Sequence, residues 1–302
     1  MIHEYAIEPS VLLSWATNDR DYYEFFREYG LGTSRIFSSF PKQKAKKLRR
    51  YFLEKISADD QSQQARRYTE MVVKLVERIV VREVKADQSE WSQRAIAENE
   101  RIPFNVILSS KPIGTDRNIT PETMYEKGSI WNHQDQLNIH RTTEDFYSAI
   151  SNILRLATEQ IVVIDPYGYS DKAIKQIQYL INHLSEKRVN HQTPSISLFY
   201  KTKTNNLNAK EVRECILKRV HSAEIGKVLE VIELEEVLGS DVFHNRCILT
   251  EHGGVIFGHG LGVSGHETHT DEAILMKPEI YQKKWSQFVE ENCFRKISRD
   301  PN

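Results

Sequence analysis

A chain of 302 residues with 39% hydrophobic and 27% charged side chains has a globular composition, with room for two domains that each bury a core. Its formal net charge of −1 excludes a generally basic, nucleic-acid-coating protein, so any phosphate-binding surface must be local. No apolar run approaches the ~18 residues of a membrane span. Cys215, Cys247 and Cys293 are too few and too scattered for a disulfide framework or a cysteine zinc site. Met1-Ile2-His3-Glu4 has neither the cationic start nor the apolar core of a secretory leader. Together these features point to a cytoplasmic protein.

Residues 1–100 read as mainly helical. Asp19–Tyr29 is an aromatic-rich helical segment stopped by Gly30, and Ser34–Phe40 reads as a connector ending at Pro41. Lys42–Ile56 follows, with Lys42, Lys44, Lys46, Lys47, Arg49 and Arg50 among or ahead of Leu48, Tyr51, Phe52 and Ile56. Such a run is either a helix face offered to phosphates or an ordinary solvated helix surface. The three-to-four spacing of Tyr68, Met71, Val72, Leu75, Ile79 and Val80 predicts one long helix over Ser62–Val84 with a buried stripe. Pro103–Ser109 reads as a strand, and Lys111–Thr120 carries the loop signals Pro112, Gly114 and Asn118. Trp131-Asn132-His133 is a pocket edge or a structural cluster, and residues 114–142 read as the connection between domains.

From Thr143 the pattern alternates. Thr143-Glu144-Asp145 starts a helix whose face is Phe146, Ile150, Ile153, Leu154 and Ala157. Ile161–Ile164 is a continuous apolar strand, as for a strand covered on both faces, and it runs into Asp165-Pro166-Tyr167-Gly168. Ser170–Leu184 is a helix, Ile196–Tyr200 a strand, Ala209–Val220 a helix and Leu229–Leu234 a strand. Phe243–Gly265, FHNRCILTEHGGVIFGHGLGVSG, then supplies strands Cys247–Thr250 and Val255–Phe257 joined by a His-Gly-Gly turn, a glycine-rich bend, and a further strand in Ala273–Met276. Period-two alternation predicts His244 and Arg246 on one strand face, with Glu251 just past that strand.

The spacing His244-x-Arg246-x4-Glu251, followed by Gly258-His259-Gly260-Leu261, resembles the phospholipase D superfamily signature, His-x-Lys-x4-Asp with a later Gly-Ser-x-Asn segment. It is also similar to the phospholipase-D-like C-terminal domain of MIT-domain proteins, where a His-Asp-Arg strand leads to a Gly-Trp turn and a Gly-Arg-Gly-Leu bend. The Asp165-Pro166-Tyr167 ending resembles one found on an early strand of such domains. The resemblance covers Thr143–Lys277, about half of the chain. It implies an α/β fold: a mostly helical N-terminal domain with its connecting segment over 1–142, then a phospholipase-D-like mixed-sheet α/β sandwich over 143–302.

What the resemblance implies about chemistry is a metal-independent phosphodiesterase, in particular a nuclease, with no cofactor. His244 corresponds to the nucleophile that forms a phosphohistidine, Arg246 to the cation that stabilises the phosphoryl oxygens, and Glu251 to the acid that orients the histidine. His259, Gly258 and Gly260 stand where that family has phosphate donors, although the Ser and Asn of its second segment are absent. A single motif implies a homodimer that brings two His244 side chains together. Nucleic acid is the candidate substrate, and bacterial genome defence a setting that suits such a protein. The alternative is a degenerate module that binds phosphate groups of a nucleic acid, lipid or partner without cleaving them, or a structural subunit of a larger assembly. His259, His266, His269 and Asp271 invite a metal reading, but a Gly- and Thr-rich segment is a poor metal scaffold and reads better as a loop or lid over His244.

Overall fold

The computed structural model describes residues 1–85, 89–126, 128–184, 188–204, 206–239, 242–244, 246–264, 266, 268–291 and 293–301. Two compact units divide the chain, one over Ile2–Gln134 and the other from Asp135 onward. Among the described residues the chain is α/β, with one sheet in each unit.

In the first unit β1 (His3–Ile7), α1 (Pro9–Trp15), α2 (Asp19–Glu28), β2 (Arg35–Ser38), α3 (Ala45–Leu53), α4 (Gln63–Glu77), β3 (Ile79–Val80), α5 (Trp91–Arg101), β4 (Val106–Leu108) and β5 (Asn118–Ile119) follow in order. The five strands pair in parallel as β3-β2-β1-β4-β5. Helices hold more of this unit than strands do, yet a sheet stands at its centre, and two sequence expectations are corrected by it. Ser34–Phe40 is not a connector: its middle is β2, buried throughout. A buried arginine is tolerated there because Arg35 Nη1 donates to Glu28 at 2.6 Å, Nη2 donates to the Trp131 carbonyl at 2.6 Å, and the guanidinium lies 4.0 Å from the Trp131 ring. The long helix ends at Glu77, and Ile79 and Val80 form β3 because each pairs with β2 (Phe37↔Ile79, Ser38↔Val80). The basic run falls on α3, where Lys44, Lys46, Lys47, Arg49 and Arg50 are exposed and Leu48 and Phe52 face the core. His133 is structural: it stacks on His3 at 3.6 Å and shares a 2.7 Å hydrogen bond with the Tyr5 hydroxyl.

The second unit runs β6 (Gln136–His140), α6 (Thr143–Leu156), β7 (Gln160–Ile164), α7 (Asp171–Asn182), β8 (Ser195–Lys201), α8 (Ala209–Leu217), α9 (Ala223–Val228), β9 (Leu229–Glu235), β10 (Cys247–Thr250), β11 (Gly253–Phe257), β12 (Thr270–Leu275), α10 (Pro278–Trp285), a π-helical turn at Ser286–Glu290, and β13 (Arg295–Asp300). Its eight strands are ordered β13-β9-β8-β7-β10-β11-β12-β6. β7, β8 and β9 are parallel, and every other pairing is antiparallel. The five strands expected from the apolar runs thus share one sheet, and β6 joins it ahead of Thr143. Side-chain caps start α6, α7 and α8: Thr142 accepts from Asp145 N, Ser170 from Ala173 N, and Asn208 and Glu211 form a reciprocal capping box. In β7 the residues Ile161–Ile164 are all buried, as a strand covered on both faces requires, and each contributes on the order of 1.5–3 kcal/mol by leaving water. No helix among the described residues is long and apolar enough to cross a membrane.

Candidate functional site

Strand direction decides which side chains meet. β7, β8 and β9 run one way and β10 the other, so the ends of the three parallel strands lie at the same edge of the sheet as the start of β10. β11 and β12 alternate in turn, which brings the end of β11 and the start of β12 to that edge as well. Open α/β sheets commonly present ligand sites at such an edge, where the winding reverses. Asp165 and Tyr167 follow β7, Lys201 closes β8 with Lys203 beyond it, Glu236 follows β9, His244 and Arg246 precede β10, Gly258–Leu261 follow β11, and Asp271 opens β12.

His244 and Arg246 are brought together here, but not as expected. Neither belongs to β10, which begins at Cys247; they sit in the approach to it, tied by Phe257 N–H donating to the Arg246 carbonyl at 2.9 Å. His244 is exposed. Arg246 is half-buried, its Nη1 donates to the Gly258 carbonyl at 2.9 Å, and its Nε has no hydrogen-bond acceptor among the described residues. The guanidinium is therefore held at Nη1, while its Nε is buried against the bend. Cys247, next along, is no rival nucleophile, because burial pushes its thiol up to about 12.

Gly260 explains how closely the bend approaches. A Cβ on Gly260 would lie 2.6 Å from Asp165 Oδ2 and 2.7 Å from Arg246 Cδ, and its φ of +81° is one that glycine adopts without penalty. Asp165 is buried, and its carboxylate accepts from Leu261 N at 2.7 Å and Tyr167 N at 2.8 Å. Burial pushes its pKa above the ordinary value, opposed by those two N–H groups and by the Arg246 charge. Gly258 is similarly constrained: a Cβ there would be 2.7 Å from Asp271 Oδ1. His259 N donates to Asp271 Oδ2 at 3.0 Å, with its ring Nδ1 3.4 Å from Oδ1, and its side chain is 64% exposed.

Glu251 does not join this cluster. Four residues of β10, rising about 3.3 Å each, separate it from Arg246, so it lies at the opposite edge of the sheet, beyond ~13 Å. There its carboxylate accepts from the backbone N–H groups of Thr158, Glu159 (3.1 Å) and Gln160 (3.4 Å) and from the Thr158 hydroxyl (3.1 Å). It ties the turn before β7 to the hairpin and orients no histidine at the other edge. The hairpin itself closes on Glu251 and His252, and the glycines after them already belong to β11.

Sequence reasoning missed the acid that does stand near His244. Glu236 accepts from Phe243 N at 2.6 Å and is paired with Lys201 Nζ at 2.6 Å. Its carboxyl is held below the usual range, chiefly by the Lys201 contact, then by the Phe243 N–H, with the His244 charge adding to it. It also missed Tyr167, whose ring has Lys203 Nζ 4.9 Å from its centre and Arg246 Cζ at 5.7 Å. The Asp165-Pro166-Tyr167 ending and the Lys201-x-Lys203 pair at a strand end were the available signals.

The histidines of the bend divide. His266 and His269 rings are 4.9 Å apart and the Ser264 hydroxyl contacts His269 Nδ1 at 2.6 Å, while Gly265 and Glu267 lie outside the described residues. Among the described residues no group of three or more His, Cys, Asp or Glu side chains is arranged to hold a metal ion.

No protein-family model and no curated protein matches the chain. Among solved structures it is similar to Nuc, a phospholipase D family member from Salmonella typhimurium, at 8% identity, covering 54% of this chain and 97% of that one with a TM-score of 0.34. It is similar also to TrmBL2, an archaeal chromatin protein whose structure shows a novel mode of DNA binding, at 11% identity, covering 57% of each chain with a TM-score of 0.28.

Proposed function

We propose that the chain is a phospholipase-D-like phosphodiesterase that acts on nucleic acid without a metal, as a homodimer in the cytoplasm. The observation that carries the reading is the half-buried Arg246 guanidinium, fixed at Nη1 by the Gly258 carbonyl, two residues from the exposed His244. A forked cation held this way suits the oxygens of a phosphodiester. In the reaction a His244 ring nitrogen attacks phosphorus, the P–O bond to the leaving group breaks, and an imidazolium supplies the proton that the leaving oxygen takes up. The same residue of a second copy is that donor in the dimer. Water then attacks phosphorus, the P–N bond breaks to free His244, and the second imidazole, now neutral, takes the water's proton. Glu236, rather than Glu251, is the carboxylate that lies within electrostatic reach of His244.

A second reading, phosphate binding without cleavage, is favoured by one observation: His259 stands where the family has its Ser donor, and it is turned toward Asp271. Cleavage of labelled DNA and RNA strands by the full chain separates the two. The hydrolase reading expects turnover that survives EDTA and vanishes in His244→Ala while the strand is still bound. Full turnover by folded His244→Ala would remove it.

A further inference from the structure

We infer that Tyr167 is a base-stacking platform and that the site accepts single-stranded nucleic acid in preference to duplex or lipid; this rests on the phosphodiester reading and narrows its substrate. The ring is 45% exposed and is carried on a fixed piece of backbone. Its backbone is fixed on both sides: Tyr167 N donates to Asp165 Oδ1 at 2.8 Å, Ser170 N donates to the Tyr167 carbonyl at 2.9 Å, and Gly168 N donates to the Asp165 carbonyl at 2.9 Å. A Cβ on Gly168 would lie 3.1 Å from Leu198 Cδ1 and 3.2 Å from Tyr200 Cβ, so the turn is seated against β8 with no slack. A ring held this way loses little conformational freedom when something stacks on it.

What surrounds the ring is cationic. Lys203 Nζ stands 4.9 Å and Arg246 Cζ 5.7 Å from its centre, and its nearest aromatic neighbour, Tyr169, is 6.5 Å away. An exposed aromatic ring contacted by two cations, one of them two residues from the proposed nucleophile, matches the chemistry of a nucleotide: a base with a π-face and flanking phosphates. Lys203 is exposed and flexible, so it can leave the ring for a phosphate when a base takes its place. A duplex keeps its bases inside the stack, and a lipid headgroup has no π-face to offer.

The test uses the full chain and fluorescence anisotropy with a labelled thymidine decamer, an abasic decamer of equal length, a hairpin duplex and phosphatidylserine vesicles. The parent should bind the thymidine decamer most tightly. Tyr167→Ala should weaken it about 5- to 150-fold, the range for loss of one stacked base, while leaving abasic binding unchanged. Tyr167→Trp should restore it. Equal parent affinity for thymidine and abasic strands, unchanged thymidine affinity in Tyr167→Ala, no oligonucleotide binding, or preference for duplex or vesicles would each overturn the inference. Cleavage is read in the same samples. Base-dependent binding with no cleavage in the parent leaves stacking standing and sinks the hydrolase reading; cleavage indifferent to base and to Tyr167 does the reverse.

Discussion

Replacing Gly260 by alanine would put a methyl group between the buried Asp165 carboxylate and the Arg246 side chain. Two costs can be worked out. The first is backbone strain: at φ +81° an L-residue with a Cβ costs about 1–2 kcal/mol. The second is steric. The new carbon would lie 2.6 Å from Asp165 Oδ2, which is the acceptor for Leu261 N at 2.7 Å, so Asp165 can retreat only by giving up that bond. An unsatisfied buried N–H costs about 1–3 kcal/mol, and the sum is about 2–5 kcal/mol. Gly239 is an internal control: its φ is +83°, yet nothing lies within 4 Å of a Cβ built there, so Gly239→Ala carries only the strain. For a unit of this size 1 kcal/mol moves the melting temperature by about 2–4 °C, which puts Gly260→Ala about 4–20 °C below the parent and Gly239→Ala about 2–8 °C below it. Differential scanning calorimetry of the two variants beside the parent measures the difference directly. Melting points for the pair that agree within a degree would refute the close approach of Asp165, Arg246 and the bend.

Two further outcomes are expected. Glu251→Gln should destabilise the fold by about 1.5–3 kcal/mol, read by urea unfolding, because a carboxylate serving three backbone N–H groups loses its charge; turnover per folded molecule should stay at the parent level. A collapse in turnover with stability intact would return Glu251 to the chemistry. The first unit should weaken as pH falls. Burial, with the Arg35 charge beside it, lowers His133 from 6.5 to about 3, so below pH 6.5 the unfolded chain takes up a proton that the folded unit does not. The stability present above 6.5 is lost toward pH 3 at up to about 1.4 kcal/mol per pH unit. Melts at pH 7 and pH 5 should show that slope in the parent and lack it in His133→Gln; equal slopes would exclude His133 as the source.

The second unit was largely legible because its strands are long or continuously apolar. Ile161–Ile164 and Leu229–Leu234 declare themselves by composition, and the helices between them by period. The first unit's sheet was not, for a local reason. β3 and β5 are two residues long, too short for a period, and β2 carries an arginine whose acceptor and aromatic partners come from Glu28 and Trp131. At the candidate site the motif marked His244, Arg246 and the bend. It could not mark Asp165 as their neighbour, because that proximity arises only when β10 pairs antiparallel to β7. Glu251 took its expected role from its motif position, although the spacing already put it past the strand and so away from His244 and Arg246.

Asp165 also makes two loops share one fate. A single carboxylate accepts both the Tyr167 amide, in the turn after β7, and the Leu261 amide, in the bend after β11. In a hydrogen-exchange experiment those two amides should therefore lose protection together, on one timescale, because any opening that moves the carboxylate releases both. A phosphate that draws the Arg246 charge away from Asp165 alters that common acceptor without touching either amide. Paired changes at Tyr167 and Leu261 then become a ligand signal that needs neither cleavage nor a label.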